Sequence, residues 1–176
     1  MSTIQRSIEI FRTRLVSLKA ILERAEAELH PDDADKKDIL AARLAPDMLP
    51  FPYQISFTCR QAELLIAKLN DAELREFESE GASFDALKTL VDETIARIEA
   101  QSADEAFAAA DTSLQIPSFP TLTLTGADYI DEWLMPNFYF HLVTAYDILR
   151  AQGLALGKGD YMSHLRPRIA AAMASA

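Results

Sequence analysis

The sequence has little cysteine, little glycine and little positive charge, and each shortage excludes a class of protein. Its single cysteine, Cys59, excludes an intrachain disulfide and fits a reducing cytoplasm. Only 5 glycines in 176 residues argue against a turn-rich all-β fold. The formal net charge of −10 argues against nucleic-acid binding, because a phosphate backbone requires a positive surface.

Long hydrophobic runs are missing as well. No apolar stretch approaches the roughly 20 residues needed to span a bilayer. The opening stretch "MSTIQRSIEIFRTRL" also lacks the uninterrupted apolar segment of a secretory signal. Hydrophobic residues nevertheless make up 49% of the chain, the balance of a globular protein. We therefore expect one cytoplasmic domain over residues 1–176 with no membrane contact.

Apolar residues recur at steps of three and four over four long segments, which indicates amphipathic helices. Ser2 and Ser83 are expected to cap the first and third helices, and Thr125 or Asp128 to open the fourth. The predicted helices cover about residues 3–29, about 53–69, Ser83 to about Ile98, and Thr125 or Asp128 to Gly153.

The segments between the helices predict little regular structure. Residues 31–52 hold four prolines around one short helical pattern at 36–44, and residues 70–81 are acidic, with at most one helical turn expected. The stretch "DTSLQIPSFPTLTLTG", residues 111–126, predicts an extended segment or a small β-hairpin. Pro136 is expected to kink the fourth helix or to restart it.

These patterns together predict an all-α fold. The architecture is a four-helix bundle with a long extended or hairpin connection between the third and fourth helices. The tail "SHLRPRIAAAMASA", residues 163–176, is expected to add a short helix. A homodimer that forms through the first helix or through this apolar tail is left open.

The clearest candidate for a functional side chain is His141, in the stretch "PNFYFH" at residues 136–141. Asn137 precedes it by four residues, so both side chains lie on one helix face. Gln54 and Thr58 have the same spacing on the second helix. Two such pairs facing each other would line a small polar pocket, unless each is a polar residue satisfied by a neighbour. Spacing alone leaves both interpretations open.

Motifs for metal binding and nucleophilic catalysis are absent from the sequence. A protein metal site needs three or four ligands, whereas His30, His141 and His164 have no helical spacing to one another. Cys59 falls on the apolar stripe of the second helix, which is typical of a buried, inert thiol. The residues themselves therefore predict no cofactor.

The stretch "GLALGKGD", residues 153–160, departs from a phosphate-binding loop in length and lacks the metal-binding Ser or Thr. We interpret it as a turn in which Lys158 and Asp160 tie the tail to the bundle.

Two further residues are candidates for ligand binding. In "RLAPDM", residues 43–48, a contact between Arg43 and Asp47 would hold the loop over the end of the bundle, unless the loop is simply solvated. Tyr146 offers a hydroxyl to a pocket, although core packing explains it equally well. The candidate ligand-binding residues are Asp47, Gln54, Thr58, Asn137, His141 and Tyr146, with His141 the best catalytic candidate.

The chain resembles the DUF1993 family of uncharacterised bacterial proteins, within the DinB/YfiT-like four-helix bundles. The matching stretches are "ARLAPDM" at 42–48, Gln54, "PNFYFH" at 136–141, "TAYDILR" at 144–150 and "GLALGKGDY" at 153–161. In the wider superfamily, the resemblance implies a divalent metal held by three histidines. With Leu149-Arg150 as the anchor, those positions fall at or near Thr58 and on Asn137 and His141, so only one of the three is a histidine here.

Three functions stay open at this point. The first is a protein that binds a small polar molecule in a remodelled, metal-independent pocket. The second is a divalent-metal-dependent enzyme, either a hydrolase or one of the thiol-dependent transferases or isomerases that the resemblance implies, with His141 and Asn137 as ligands. The third is a non-catalytic structural or interaction protein. Whether the chain is an enzyme is not decided by the sequence.

Overall fold

The computed structural model describes residues 1–29, 39–103 and 105–175 of the chain. It is mostly helical, with one small hairpin, as the sequence predicts. Its helices are α1 (Thr3–Glu28), α2 (Phe51–Asn70), α3 (Phe84–Glu99), α4 (Ala106–Ala109), α5 (Gly126–Asp128), a π-helical segment (Tyr129–Leu134), α6 (Met135–Ala151), α7 (Lys158–Tyr161), a 3₁₀ turn (Ser163–Leu165) and α8 (Arg166–Ala174).

Side-chain caps fix where the helices begin. The Ser2 hydroxyl accepts from the Gln5 backbone N–H, and the Ser83 hydroxyl accepts from that of Ala86, as predicted. Thr125 caps α5 in the same way, so it, rather than Asp128, opens the last long helix. Gly153 follows the end of α6 with a φ of +102°, a left-handed conformation that favours glycine.

One short helical prediction is wrong. The helix expected at 36–44 is replaced by turns over residues 39–41, while residues 36–38 lie outside the described part of the chain. Residues 72–79 contain no helical turn. The sequence at 39–44 carries helix-forming residues but no apolar stripe long enough to hold a helix, and packing supplies most of a helix's stability in a protein.

The last long helix passes from π to α geometry without a break. Pro136 lies in the first turn of α6, directly after the π-helical segment. Proline has no N–H to donate and its ring crowds the carbonyl four residues earlier, so a wider turn before it relieves the conflict. Pro136 therefore restarts α-helical geometry within one continuous helix, and the sequence did not predict the π segment.

The hydrophobic core forms along the facing sides of the long helices. α1 packs mainly against α3, whereas α2 packs against both α3 and α6. α1 is therefore a closer neighbour of α3 than of α2, the helix that follows it in the sequence. At the centre, the buried rings of Phe11 and Phe138 meet edge-on with centroids 4.9 Å apart.

The hairpin lies between α3 and the last long helix, as predicted. Strand β1 (Asp111–Leu114) pairs antiparallel with β2 (Leu122–Thr125), and Asp111 lies opposite Thr125. The chain then enters α5 at Gly126, whose N–H donates to the carbonyl of Ala110 at 2.9 Å. This contact fixes the hairpin against the start of the helix that carries His141.

The tail is tied to α1 through Asp160. Its carboxylate accepts from the Gly157 N–H and lies 3.2 Å from a guanidinium nitrogen of Arg24. The tie predicted through Asp160 is therefore confirmed, whereas residues 158–160 begin α7 and in the described residues no ion pair links Lys158 to the bundle. Among the described residues, no helix has the length and apolar character to cross a membrane.

Candidate functional site

His141 and Gln54 meet across the interface between α6 and α2. The Nδ1 atom of His141 lies 2.9 Å from Oε1 of Gln54. Gln54 is 3% exposed, so its amide needs partners inside the protein. The two residues are 87 positions apart, and the packing of α2 on α6 brings one member of each predicted polar pair into contact.

The Gln54 amide determines which nitrogen of His141 carries the proton. Its Nε2 donates to the carbonyl of Leu49 at 2.8 Å, which leaves Oε1 to accept from His141. Nδ1 of the neutral imidazole is therefore protonated, and Nε2 holds a free lone pair. Buried side-chain atoms without partners in the described residues are confined to Gln61, Gln152 and His164, so Nε2 of His141 reaches solvent.

Two aromatic rings flank the imidazole. The rings of Phe57 and Phe140 each contact it edge-on, with centroids 5.1 Å away. Phe140 is 57% exposed, so it extends the site towards the surface. The sequence analysis did not single out either residue. Their sequence positions could have placed them near the site, because Phe57 follows Gln54 by three residues on the same helix face and Phe140 precedes His141.

Burial lowers the pKa of His141 from 6.5 to about 4. The rings and the core remove water from the charged form, and the Gln54 amide supplies no charge to compensate. His141 is therefore neutral at neutral pH. An imidazole with this pKa serves well as a hydrogen-bond acceptor but is a weak general base, since efficient bases have a pKa near the working pH.

We expect an NMR titration to give His141 a midpoint near pH 4. The unfolded chain takes up this proton near pH 6.5 and the folded chain only near pH 4, so stability falls as the pH drops between these values. After allowance for partial exposure, the loss is about 1–2 kcal/mol. In His141→Asn, the free energy of unfolding measured with denaturant should not show this part of the fall with pH. A wild-type midpoint near 6.5 would contradict the prediction.

The side chains of Thr58 and Asn137 each donate one hydrogen bond to a backbone carbonyl of their own helix. The Thr58 hydroxyl, fully buried, donates to the Gln54 carbonyl at 2.7 Å. The Asn137 amide nitrogen donates to the Trp133 carbonyl at 2.7 Å, close to the end of the π-helical segment. Asn137 Oδ1 therefore points away from Trp133 and is free to accept. Thr58 supports the backbone beneath Gln54, whereas Asn137 presents an acceptor one turn before His141.

Asp47 and Tyr146 are not joined to this pair. Asp47 is exposed, and in the described residues no ion pair links it to Arg43. Tyr146 packs on Tyr161 of α7, with ring centroids 6.2 Å apart. The structure thus brings Gln54 and His141 into contact, with Thr58 and Asn137 one turn away, and gives Asp47 and Tyr146 other surroundings.

Cys59 is 1% exposed, one position after Thr58. Burial raises the pKa of its thiol to about 12, against a smaller opposing effect from its hydrogen bond with Thr94. The thiolate, which is the reactive form, is therefore nearly absent at neutral pH.

We expect Cys59 to resist a thiol reagent such as Ellman's reagent while the protein is folded. In denaturant the same sample should react rapidly, at one equivalent per chain. Rapid reaction of the native protein would contradict the buried position of the thiol.

Comparison with known proteins identifies the family. The model of the domain of unknown function DUF1993 matches residues 4–162. The chain belongs to the DUF1993 family. A crystal structure of a DinB family member protein from Shewanella denitrificans is similar to it, with a TM-score of 0.76 and 30% sequence identity over 88% of each chain. The fold of this DUF1993 protein is therefore DinB-like. No curated protein is significantly similar to it in sequence.

The residues at the metal positions implied by the DinB resemblance do not fit a divalent ion in this DUF1993 chain. Thr58, Asn137 and His141 offer an alcohol, an amide and one imidazole, with no negative charge among them. The Thr58 hydroxyl is also engaged with the Gln54 carbonyl. No group of three or more His, Cys, Asp or Glu side chains that could hold a metal occurs in the described ranges, which do not include His30. Zinc and similar ions require three or four strong ligands.

Proposed function

We propose that the chain binds a small polar molecule, without a metal ion, at the face of α6 that carries Asn137 and His141. The observation that supports this most is the fixed tautomer of His141. Its Nδ1 donates to Gln54, and its Nε2 is left neutral, unpaired and open to solvent. A hydrogen-bond acceptor held in one orientation by a buried partner is the kind of group that positions a ligand.

The acceptors indicate the chemistry of the ligand. Asn137 Oδ1 and His141 Nε2 are both acceptors and lie on side chains four residues apart, about 6 Å along the helix axis. A ligand with two O–H or N–H groups, such as a polyol, an amine or an amide, would complement them. The exposed ring of Phe140 offers its apolar part a surface, and an acidic protein favours a neutral or cationic ligand.

Binding fits the site better than acid–base catalysis. The pKa of His141, lowered to about 4 by burial, lies well below neutral pH, so the imidazole would be a poor general base or acid there. No second ionisable group lies in hydrogen-bond contact with it among the described residues. We therefore assign His141 the role of ligand contact rather than catalyst.

The proposal is tested with a thermal-shift screen of polyols, amines, amides and nucleosides in the presence of a chelator, followed by calorimetry on the hits. His141→Asn keeps a donor at the position of Nδ1 and removes the acceptor at Nε2. We expect it to retain the wild-type stability within about 1 kcal/mol and to lose at least tenfold in affinity.

His141→Gln and His164→Asn serve as controls. Glutamine places its terminal amide where Nε2 was, so we expect partial retention of binding, and His164→Asn alters a distant histidine and should have no effect. A ligand that binds His141→Asn as tightly as the wild type would overturn the assignment.

A structural role is the second candidate, and the burial of Gln54 favours it. Among the described residues its Oε1 is paired with His141 alone, so His141→Leu would leave a buried acceptor unpaired and destabilise the protein by about 1–3 kcal/mol. Replacing both residues with leucine removes the unpaired group. If the double variant is as stable as the wild type and no compound binds the wild type, the contact serves the fold alone.

Location and assembly remain proposals. A cytoplasmic location is supported by the single, buried Cys59, which suits a reducing compartment. A homodimer is supported by the exposed apolar residues Ile169 and Met173 on α8, at 55% and 75% exposure. Light scattering on the purified chain measures the assembly directly.

A further inference from the structure

A cleft of about 310 Å³ lies between the first half of α1 and the tail, away from His141. Residues from α1 at spacings of three and four form one wall, so they share one helix face. The 3₁₀ turn and the start of α8 form the other wall. Its charged or titratable side chains are those of Arg6, Glu9, Arg14, His164 and Arg168.

The three arginines of this cleft have no carboxylate partner in the described part of the chain. Arg6, Arg14 and Arg168 form no ion pair there, although acidic residues outnumber basic ones by 27 to 17. The one acid of the cleft, Glu9, is held by two hydrogen bonds from Arg12 at 2.9 and 3.0 Å. The cleft therefore holds three arginines against one carboxylate, a net positive charge on an acidic protein.

Arg14 and Arg168 line the same cleft as His164 and Glu9. Burial is the main cause that lowers the pKa of His164, and the charges of Arg14 and Arg168 add to it. The hydrogen bond from Arg12 is the main cause that lowers the pKa of Glu9, and the charges of Arg14 and Arg168 add to it as well. His164 also carries a buried Nδ1 atom that lacks a hydrogen-bond partner. Arg14 also donates to the Thr13 hydroxyl at 2.8 Å, so its guanidinium is held at the wall of the cleft.

We propose that this cleft binds a small oxyanion, namely the phosphate or carboxylate group of a metabolite. Guanidinium groups match such anions because their N–H donors form parallel, charge-assisted hydrogen bonds to two oxygens. The site is distinct from the one at His141. The family match ends at residue 162, so His164 and Arg168 lie outside the part that defines the family.

The test uses pyrophosphate and citrate as probes, titrated into the full chain at low ionic strength and followed by calorimetry. In the double variant Arg14→Gln, Arg168→Gln, we expect affinity for the better probe to fall at least tenfold. Both side chains lie outside the core, so the fold should survive, and a thermal scan verifies this. Tighter binding of pyrophosphate assigns the cleft to phosphates, and tighter binding of citrate assigns it to carboxylates.

Arg60→Gln is the matched control, because it removes one positive charge from an exposed pair with Glu76 elsewhere on the surface. It should leave affinity unchanged, and the probe should shift the NMR signals of His164 but not those of His141. The proposal is overturned if neither probe binds the wild type, if the double variant binds as well as the wild type, or if Arg60→Gln weakens binding equally.

Discussion

Replacing Phe138 with alanine is expected to lower the free energy of unfolding by about 4 kcal/mol. The ring is fully buried and packs edge-on against Phe11 at 4.9 Å and Tyr139 at 5.4 Å. The change removes the apolar surface of the ring and leaves a cavity that the surrounding helices fill only in part. For a chain of this length the melting temperature should fall by about 8–16 °C.

Phe140→Ala is the control two positions away. Phe140 is 57% exposed, so its removal should change the free energy of unfolding by less than about 1 kcal/mol. Because Phe140 contacts His141, the same variant should weaken ligand binding at the His141 site. Equal destabilisation by the two variants would contradict the orientation of α6 in the bundle.

Replacing Gly126 with alanine is expected to lower the free energy of unfolding by about 3 kcal/mol. Here the cause is a steric clash rather than a cavity. An added Cβ atom would lie 2.0 Å from the carbonyl oxygen of Phe107 and 2.8 Å from its carbonyl carbon. Both atoms belong to the backbone, so no side-chain rotation relieves the clash, and either α4 or the hairpin must move. Denaturant unfolding measures the loss, and NMR should locate the displaced residues around Phe107.

Gly159→Ala is the matched glycine control. No atom lies within 4 Å of a Cβ built at this position in α7, and its backbone does not require glycine. Because alanine loses less conformational freedom on folding, we expect no loss and a gain of up to about 1 kcal/mol. An intact fold and unchanged stability in Gly126→Ala would contradict the close approach of α4 to α5.

The fold was largely predictable because short local sequence patterns indicate most of its helices and strands. The caps at Ser2 and Ser83 precede uninterrupted apolar periodicity, and the alternation in "TLTLT" marks the second strand. Where local signals conflict, prediction fails. The turn at residues 39–41 buries Ile39 without forming a helix, and the π-helical segment depends on how Pro136 is accommodated in the last long helix.

The site was predictable in part, for the same reason. Spacing placed Asn137 with His141 and Gln54 with Thr58, but it held no information on the contact between positions 54 and 141, which depends on how α2 packs on α6. The cleft between α1 and the tail was not predictable, since Arg14 and Arg168 come from opposite ends of the chain. The pKa of His141 likewise follows from burial by the assembled helices.

The central claim is that the His141 site works without a metal. The most direct test is elemental analysis of protein purified without an affinity tag, paired with thermal shifts on adding zinc, nickel and manganese. With one imidazole and no charged ligand at the site, we predict substoichiometric metal and no shift that depends on His141. Near-stoichiometric metal, with a matching thermal shift that is lost in His141→Asn, would contradict the account.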